Sequence, residues 1–120
     1  VPAAIKRLME QAGRSADNTD FMLLHQANLF ILKQIAKMTS FPMGKVPVSM
    51  DRYGNTSVSS IPITLCDLLS RDAKKEELTL VMAGFGVGLS WGVVSLSIRR
   101  EVCLPITATS ECFPEGGLNV

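Results

Sequence analysis

Apolar positions recur at helical spacing through "PAAIKRLMEQA" (2–12), where Ala4, Ile5, Leu8, Met9 and Ala12 share a face. Pro2 lies in the first turn and Gly13 follows as a natural stop. After the polar loop "RSADNTD", the short apolar run "FMLLH" (21–25) predicts a buried strand. Helical spacing returns in "ANLFILKQIAKM" (27–38), with Ala27, Ile31, Ile35 and Met38 on one face and Lys33, Gln34 and Lys37 on the other. Phe30 falls with the polar set. "FPMGK" breaks the pattern, "VPVSM" (46–50) predicts a second short strand, and "DRYGN" (51–55) is turn chemistry.

A helix over 57–71 follows, capped by Thr56 or Ser57, with Pro62 close to its first turn. Val58, Ile61, Leu65, Leu68 and Leu69 predict that it is mostly buried. "DAKKEE" is a charged surface loop. "LTLVMAGF" is a buried-strand run and "GVG" a turn. In "VVSLSIRR", Val94, Leu96 and Ile98 alternate with Ser95, Ser97 and Arg99.

This order predicts an α/β fold: a mixed layered sheet with helices, ending in an antiparallel hairpin across Gly86–Gly88. Residues 101–120 have no clear period and read as an irregular, partly disordered tail. The 21 uncharged residues from Leu78 to Ile98, with Gly84, Gly88 and Gly92 at four-residue spacing, are long enough to span a bilayer. Their period of two is that of paired strands, so no membrane association is expected.

The 120 residues fit one domain, and 47% hydrophobic with 19% charged residues is a globular balance. A net charge of +1 with no basic block excludes nucleic-acid binding as a main role. Three cysteines without a CxxC pair read as reduced thiols of a cytoplasmic protein. A single histidine leaves no metal site to expect. The start at Val1-Pro2, running at once into a helix, reads as a piece of something longer.

Site residues in layered α/β sheets gather where strands end and helices begin. His25, the only histidine, lies at such a junction. Asn55 lies in a Gly-Asn-Thr-Ser turn before a helix, and "GFGVG" (84–88) joins the last strands with glycines that admit close backbone approach. A helix N-terminus beside an imidazole favours the neutral ring. Neutral imidazole and carboxamide can each donate a hydrogen bond to one carbonyl oxygen. In oxyanion-type sites a missing donor costs about 3–4 kcal/mol. Each feature also has a plain structural explanation: a hydrogen-bonding histidine at a strand end, an asparagine chosen for turn conformation, and an ordinary hairpin. "GFGVG" is no phosphate-binding signature, because the downstream Lys-Ser/Thr is missing.

Taken together, "HQAN" (25–28), "DRYGNTSVSSIP" (51–62) and "GFGVGLSWG" (84–92) resemble the C-terminal half of type III beta-ketoacyl-acyl-carrier-protein synthases. These are condensing enzymes of the thiolase fold that begin fatty acid elongation. The resemblance runs over 1–100 and implies that His25 and Asn55 are catalytic. They would hydrogen-bond the thioester carbonyl of malonyl-carrier protein as it loses carbon dioxide. It further implies that Asn28, Phe85 and Gly86 shape the substrate site. The Val87 N–H would serve an oxyanion hole, and Lys33 and Lys37 would meet the acyl carrier protein. Coenzyme A and carrier-protein thioesters would be substrates, with no cofactor or metal. The N-terminal half of the same enzyme would complete the site, in a homodimeric parent.

Three departures stand out. The family's nucleophilic cysteine belongs to the N-terminal half, and Cys66, Cys103 and Cys112 lack its context, so the chain alone is expected to be inactive. Val87 stands where the family often has glycine, which a backbone donor tolerates only if the turn keeps φ negative there. Phe30 stands where an arginine commonly faces the carrier protein. Two other readings remain: a non-catalytic half that dimerises or binds a thioester, and a related condensing enzyme of secondary metabolism.

Overall fold

In the computed structural model, residues 1–71, 75–108 and 110 are described. Helix α1 (Pro2–Gln11) leads to strand β1 (Phe21–Leu24) and helix α2 (Leu29–Thr39). A short helix α3 (Met50–Tyr53) precedes α4 (Ser60–Arg71), and the long strands β2 (Glu77–Gly86) and β3 (Ser90–Arg99) complete the order. Among the described residues these strands form one sheet in the order β1-β2-β3. β1 runs parallel to β2, from Phe21 opposite Leu80 to Leu24 opposite Ala83, whereas β2 and β3 are the expected antiparallel hairpin.

Alternation along the strands gives the sheet two apolar faces. Met22, Leu24, Val81 and Ala83 pack with Ile5 and Met9 of α1 and with Leu32, Ile35 and Ala36 of α2. Leu23, Leu78 and Leu80 meet Leu65 and Leu69 of α4 on the other side. The result is three layers, with the parallel pair in the middle. The segment 78–98 is strand, turn and strand, and no helix among the described residues is long and apolar enough to cross a membrane.

α1 follows its pattern and ends before Gly13, whose φ of +60° is readily taken by glycine. α2 differs from expectation. It begins at Leu29 rather than Ala27, because the Asn28 side chain accepts from Ile31 N–H at 2.9 Å and caps it. Its buried stripe is Leu32, Ile35 and Ala36, whereas Met38 is 56% exposed.

The strand expected at 46–50 is absent. Pro47 has no N–H to give a ladder. The backbone groups on either side of Val48 are taken by a side chain instead: Gln26 Nε2 donates to Pro47 O at 3.3 Å, and its Oε1 accepts from Ser49 N–H at 2.9 Å. The helix expected over 57–71 also divides, into a 3₁₀ turn at Ser57–Ser59 and then α4. Neither Thr56 nor Ser57 caps the turn by a side-chain bond, and Val58 is 90% exposed rather than buried. The tail opens with a 3₁₀ turn at Arg100–Val102, while 72–74, 109 and 111–120 lie outside the described residues.

Asp20 extends the β1–β2 ladder by proxy. Its Oδ2 accepts from Thr79 N–H at 2.8 Å, and Lys75 donates to its Oδ1. Burial pushes the carboxyl up, but the bonds from Lys75 and Thr79, with the charges of Lys75 and Lys45, outweigh this and hold it below its ordinary 3.8. Ionised Asp20 therefore stabilises the fold above that value, and the contribution is lost as acidification passes the lower, folded value. Asp20→Asn is expected to cost about 1 kcal/mol near neutrality. The difference should shrink towards zero in strong acid, as read from urea unfolding at a series of pH values.

Candidate active site

His25 continues β1 by one bond, its N–H donating to Ala83 O at 2.9 Å, so sheet register fixes its Cα. The half-buried ring packs edge-to-face on Phe85, with centroids 5.3 Å apart and planes at 79°. Nδ1 lies 2.7 Å from Ser60 Oγ at the start of α4.

Asn55 is placed by the end of α3. Gly54 has φ 68° and ψ −160°, a conformation in which a side chain would be strained, and it turns the chain out of the helix. Asn55 Oδ1 then accepts from Ser57 N–H at 3.0 Å. The bond closes an Asx turn ahead of the 3₁₀ segment, and it commits the carboxamide oxygen to the backbone. No partner among the described residues takes the Nδ2 hydrogens, so the exposed amide is left as a donor.

The third segment is the hairpin tip. Val87 is fully exposed and its φ is not positive; the left-handed conformations fall on Gly88 (+80°) and Leu89 (+53°). The turn thus meets the condition under which a valine can present its N–H.

His25, Asn55, Phe85, Gly86 and Val87 line one cavity of about 570 Å³, together with Ser57, Ser60 and Ile61. Asn28, Lys33 and Lys37 do not. Asn28 is occupied as the cap of α2, and the lysines stand exposed along that helix with Phe30, which is 69% exposed. The cavity walls include neither a carboxylate nor a thiol. Such a site can polarise a carbonyl oxygen from several N–H groups, but it has no thiol or carboxylate nucleophile of its own.

The free thiols Cys66 and Cys103 line a separate cavity of about 740 Å³ between α4 and the segment after β3. Burial, and then the neighbouring Cys66, push the Cys103 thiol up, which favours its unreactive protonated form. Cys112 lies outside the described residues. Among the described residues no group of three His, Cys, Asp or Glu side chains is arranged to hold a metal ion.

Four residues escape a reading of periodicity alone. Gln26 is fully buried, and Nε2 also donates to Leu24 O at 2.9 Å, so the side chain joins the end of β1 to the 47–49 segment. Along α4, Ser60, Thr64 and Asp67 form a polar stripe on the buried face. Thr64 Oγ1 lies 2.6 Å from Ser49 Oγ, while Asp67 receives both Arg52 and the Tyr53 hydroxyl from α3. The spacing 60, 64, 67 is that of one helix face. It was the only available signal.

Comparisons with known proteins show the family and the fold of the chain. The family model for the C-terminal part of 3-oxoacyl-[acyl-carrier-protein] synthase III matches residues 9–98. The beta-ketoacyl-[acyl-carrier-protein] synthase III of Porphyra umbilicalis is 40% identical over 96 residues, covering 80% of this chain and 29% of the relative. The Streptococcus sanguinis synthase of the same name is 42% identical over 100 residues, 82% of this chain and 31% of the relative. The chain thus spans about three-tenths of the length of these relatives.

Among solved structures, a 3-oxoacyl-(acyl-carrier protein) synthase from Burkholderia xenovorans superposes with a TM-score of 0.76 at 45% identity, covering 82% of this chain and 28% of that one. The synthase III of Aquifex aeolicus gives 0.73 at 33% identity, covering 78% and 30%. With the model spanning most of the chain and the fold shared, this protein belongs to the 3-oxoacyl-[acyl-carrier-protein] synthase III C-terminal family and has its thiolase-like fold.

Proposed function

We propose that this chain forms the donor side of an acyltransferase active site, with residues 1–100 as the C-terminal domain of a condensing enzyme. The reaction is decarboxylative Claisen condensation of an acyl-CoA with malonyl-acyl carrier protein. The observation that carries this reading is the shared cavity: imidazole, carboxamide and hairpin tip border one space, and the Asn55 oxygen is already engaged.

In the proposed reaction the malonyl C–C bond to the carboxylate breaks, and its electron pair passes into an enolate. Its oxygen is stabilised by His25 and Asn55. The enolate carbon attacks an acyl group carried on a cysteine of the N-terminal half, and the thiolate is expelled. Val87 N–H supports the oxyanion formed at that second carbonyl, while Phe85 and Gly86 shape the substrate site and Asn28 contributes only by capping α2. Donors fixed in advance act where charge develops, without reorganisation.

Lys33 and Lys37 form a positive face for the acidic carrier protein, and exposed Phe30, in place of the family's arginine, weakens or alters that recognition. We place the protein in the cytoplasm as a homodimer using no cofactor. The 120-residue chain alone is expected to complete no condensation. In the full-length protein, Asn55→Ala should lower malonyl decarboxylation by about 10²-fold or more while acyl loading persists. Radiolabelled carbon dioxide release and acyl-enzyme trapping separate these steps. Turnover by the chain alone would overturn the half-site assignment, and undiminished decarboxylation in the variant would remove Asn55 from the site.

A further inference from the structure

Ser60 begins α4 and is 1% exposed, so its hydroxyl is shielded from bulk water. A hydroxyl has one proton to donate and two lone pairs to offer, and buried polar groups require partners. One lone pair is met by the backbone N–H of Gln26, at 3.3 Å. That amide only donates, so the contact does not tell where the Ser60 proton goes.

Serines within helices often donate to the carbonyl one turn back. Ser60 is at the first position of α4, after a 3₁₀ turn, and no such bond forms. Among the described residues, the acceptor within hydrogen-bond distance of its Oγ is His25 Nδ1, at 2.7 Å.

We propose that Ser60 donates to His25 Nδ1 and thereby holds the imidazole proton on Nε2. The tautomer of a histidine is set by the hydrogen bond its other nitrogen makes. If Nδ1 carried the proton instead, it would donate to Oγ and leave a buried O–H without an acceptor. Nε2 would then present a lone pair to the cavity, which repels a developing oxyanion. With Ser60 as donor, Nε2–H becomes the group that meets the oxygen. The Phe85 ring, edge-to-face with the imidazole, keeps its plane fixed while this bond sets its protonation pattern.

Ser60 is thus a positioning residue that acts through His25. The use of Nε2–H in catalysis rests on the proposed function, whereas the tautomer itself follows from the placement of one buried proton.

The test is a two-bond ¹H–¹⁵N correlation spectrum of the full-length protein labelled on histidine, with His25 assigned through His25→Gln. At the pH of the activity assay the wild type is expected to show the Nε2–H pattern, with Nδ1 as the unprotonated nitrogen. In Ser60→Ala the pattern should become a mixture of tautomers, and decarboxylation should fall about tenfold or more with acyl loading unchanged. Ser60→Thr keeps the hydroxyl and is expected to preserve the wild-type pattern.

A protonated Nδ1 in the wild type overturns the proposal without reference to any variant. An Ser60→Ala enzyme with an unaltered spectrum and rate overturns it as well. The spectrum reads the ring whatever reaction the site performs. Failure of the condensation assay with an Nε2–H signature would therefore count against the proposed function alone.

Discussion

His25→Ala in the full-length protein is expected to lower malonyl decarboxylation by about 10²–10³-fold and to leave acyl loading near the wild-type level. The magnitude is that of one preorganised donor removed from a site where negative charge develops, about 3–4 kcal/mol. The asymmetry between steps follows from what the ring touches. It borders the cavity with Asn55 and the hairpin tip, and that cavity holds no thiol to activate. Loss of a group that only polarises the malonyl carbonyl should therefore spare transfer onto a cysteine elsewhere. Measuring carbon dioxide release and acyl-enzyme formation in the same preparation decides the matter. Equal loss of both would mean that the ring serves the fold, through its contacts with Ser60 and Phe85.

The largest effect on stability is expected from Gln26→Leu. The side chain is fully buried and makes bonds of 2.9 Å to Leu24 O, 3.3 Å to Pro47 O and 2.9 Å from Ser49 N–H. Leucine fills much the same space but leaves buried backbone groups facing an apolar side chain. Each group so left costs about 1–3 kcal/mol, more than the bond itself is worth. Allowing for partial relaxation, a loss of about 3 kcal/mol is expected. It would appear as a lower urea midpoint at an unchanged denaturant slope. A change below about 1 kcal/mol would mean that the 47–49 segment finds other partners.

Legibility in the sequence followed the physics of each element. α1 is readable from its helical period, β1 and β2 from apolar runs that are buried on both faces, and β3 from its alternation of apolar and polar residues. The 46–50 segment looked like a strand because valines flank a proline. What decides its conformation is the carboxamide of Gln26, 21 residues before Pro47 in the chain, and no local pattern encodes that contact. α4 was read from its leucines, whereas its placement depends equally on Ser60, Thr64 and Asp67, polar residues that periodicity alone assigns to solvent.

The site was legible to a different degree. His25, Asn55 and the hairpin glycines were marked by their position at element boundaries and by the resemblance of the motifs around them. Which atom of each side chain is free to donate was not. That depends on Ser57 N–H for Asn55 and on Ser60, 35 residues away, for His25. A sequence names candidate donors, but their orientation is a property of contacts between segments.

The polar stripe of α4 bears on how the two donors stay in register. Ser60 grips the imidazole, Thr64 holds the hydroxyl that precedes α3, and Asp67 clamps the arginine and tyrosine just ahead of the Gly-Asn turn. Histidine ends a strand and asparagine follows a short helix, yet α4 holds the imidazole of the first and the residues that lead into the second. A substitution that displaced α4 would therefore be felt at both donors at once.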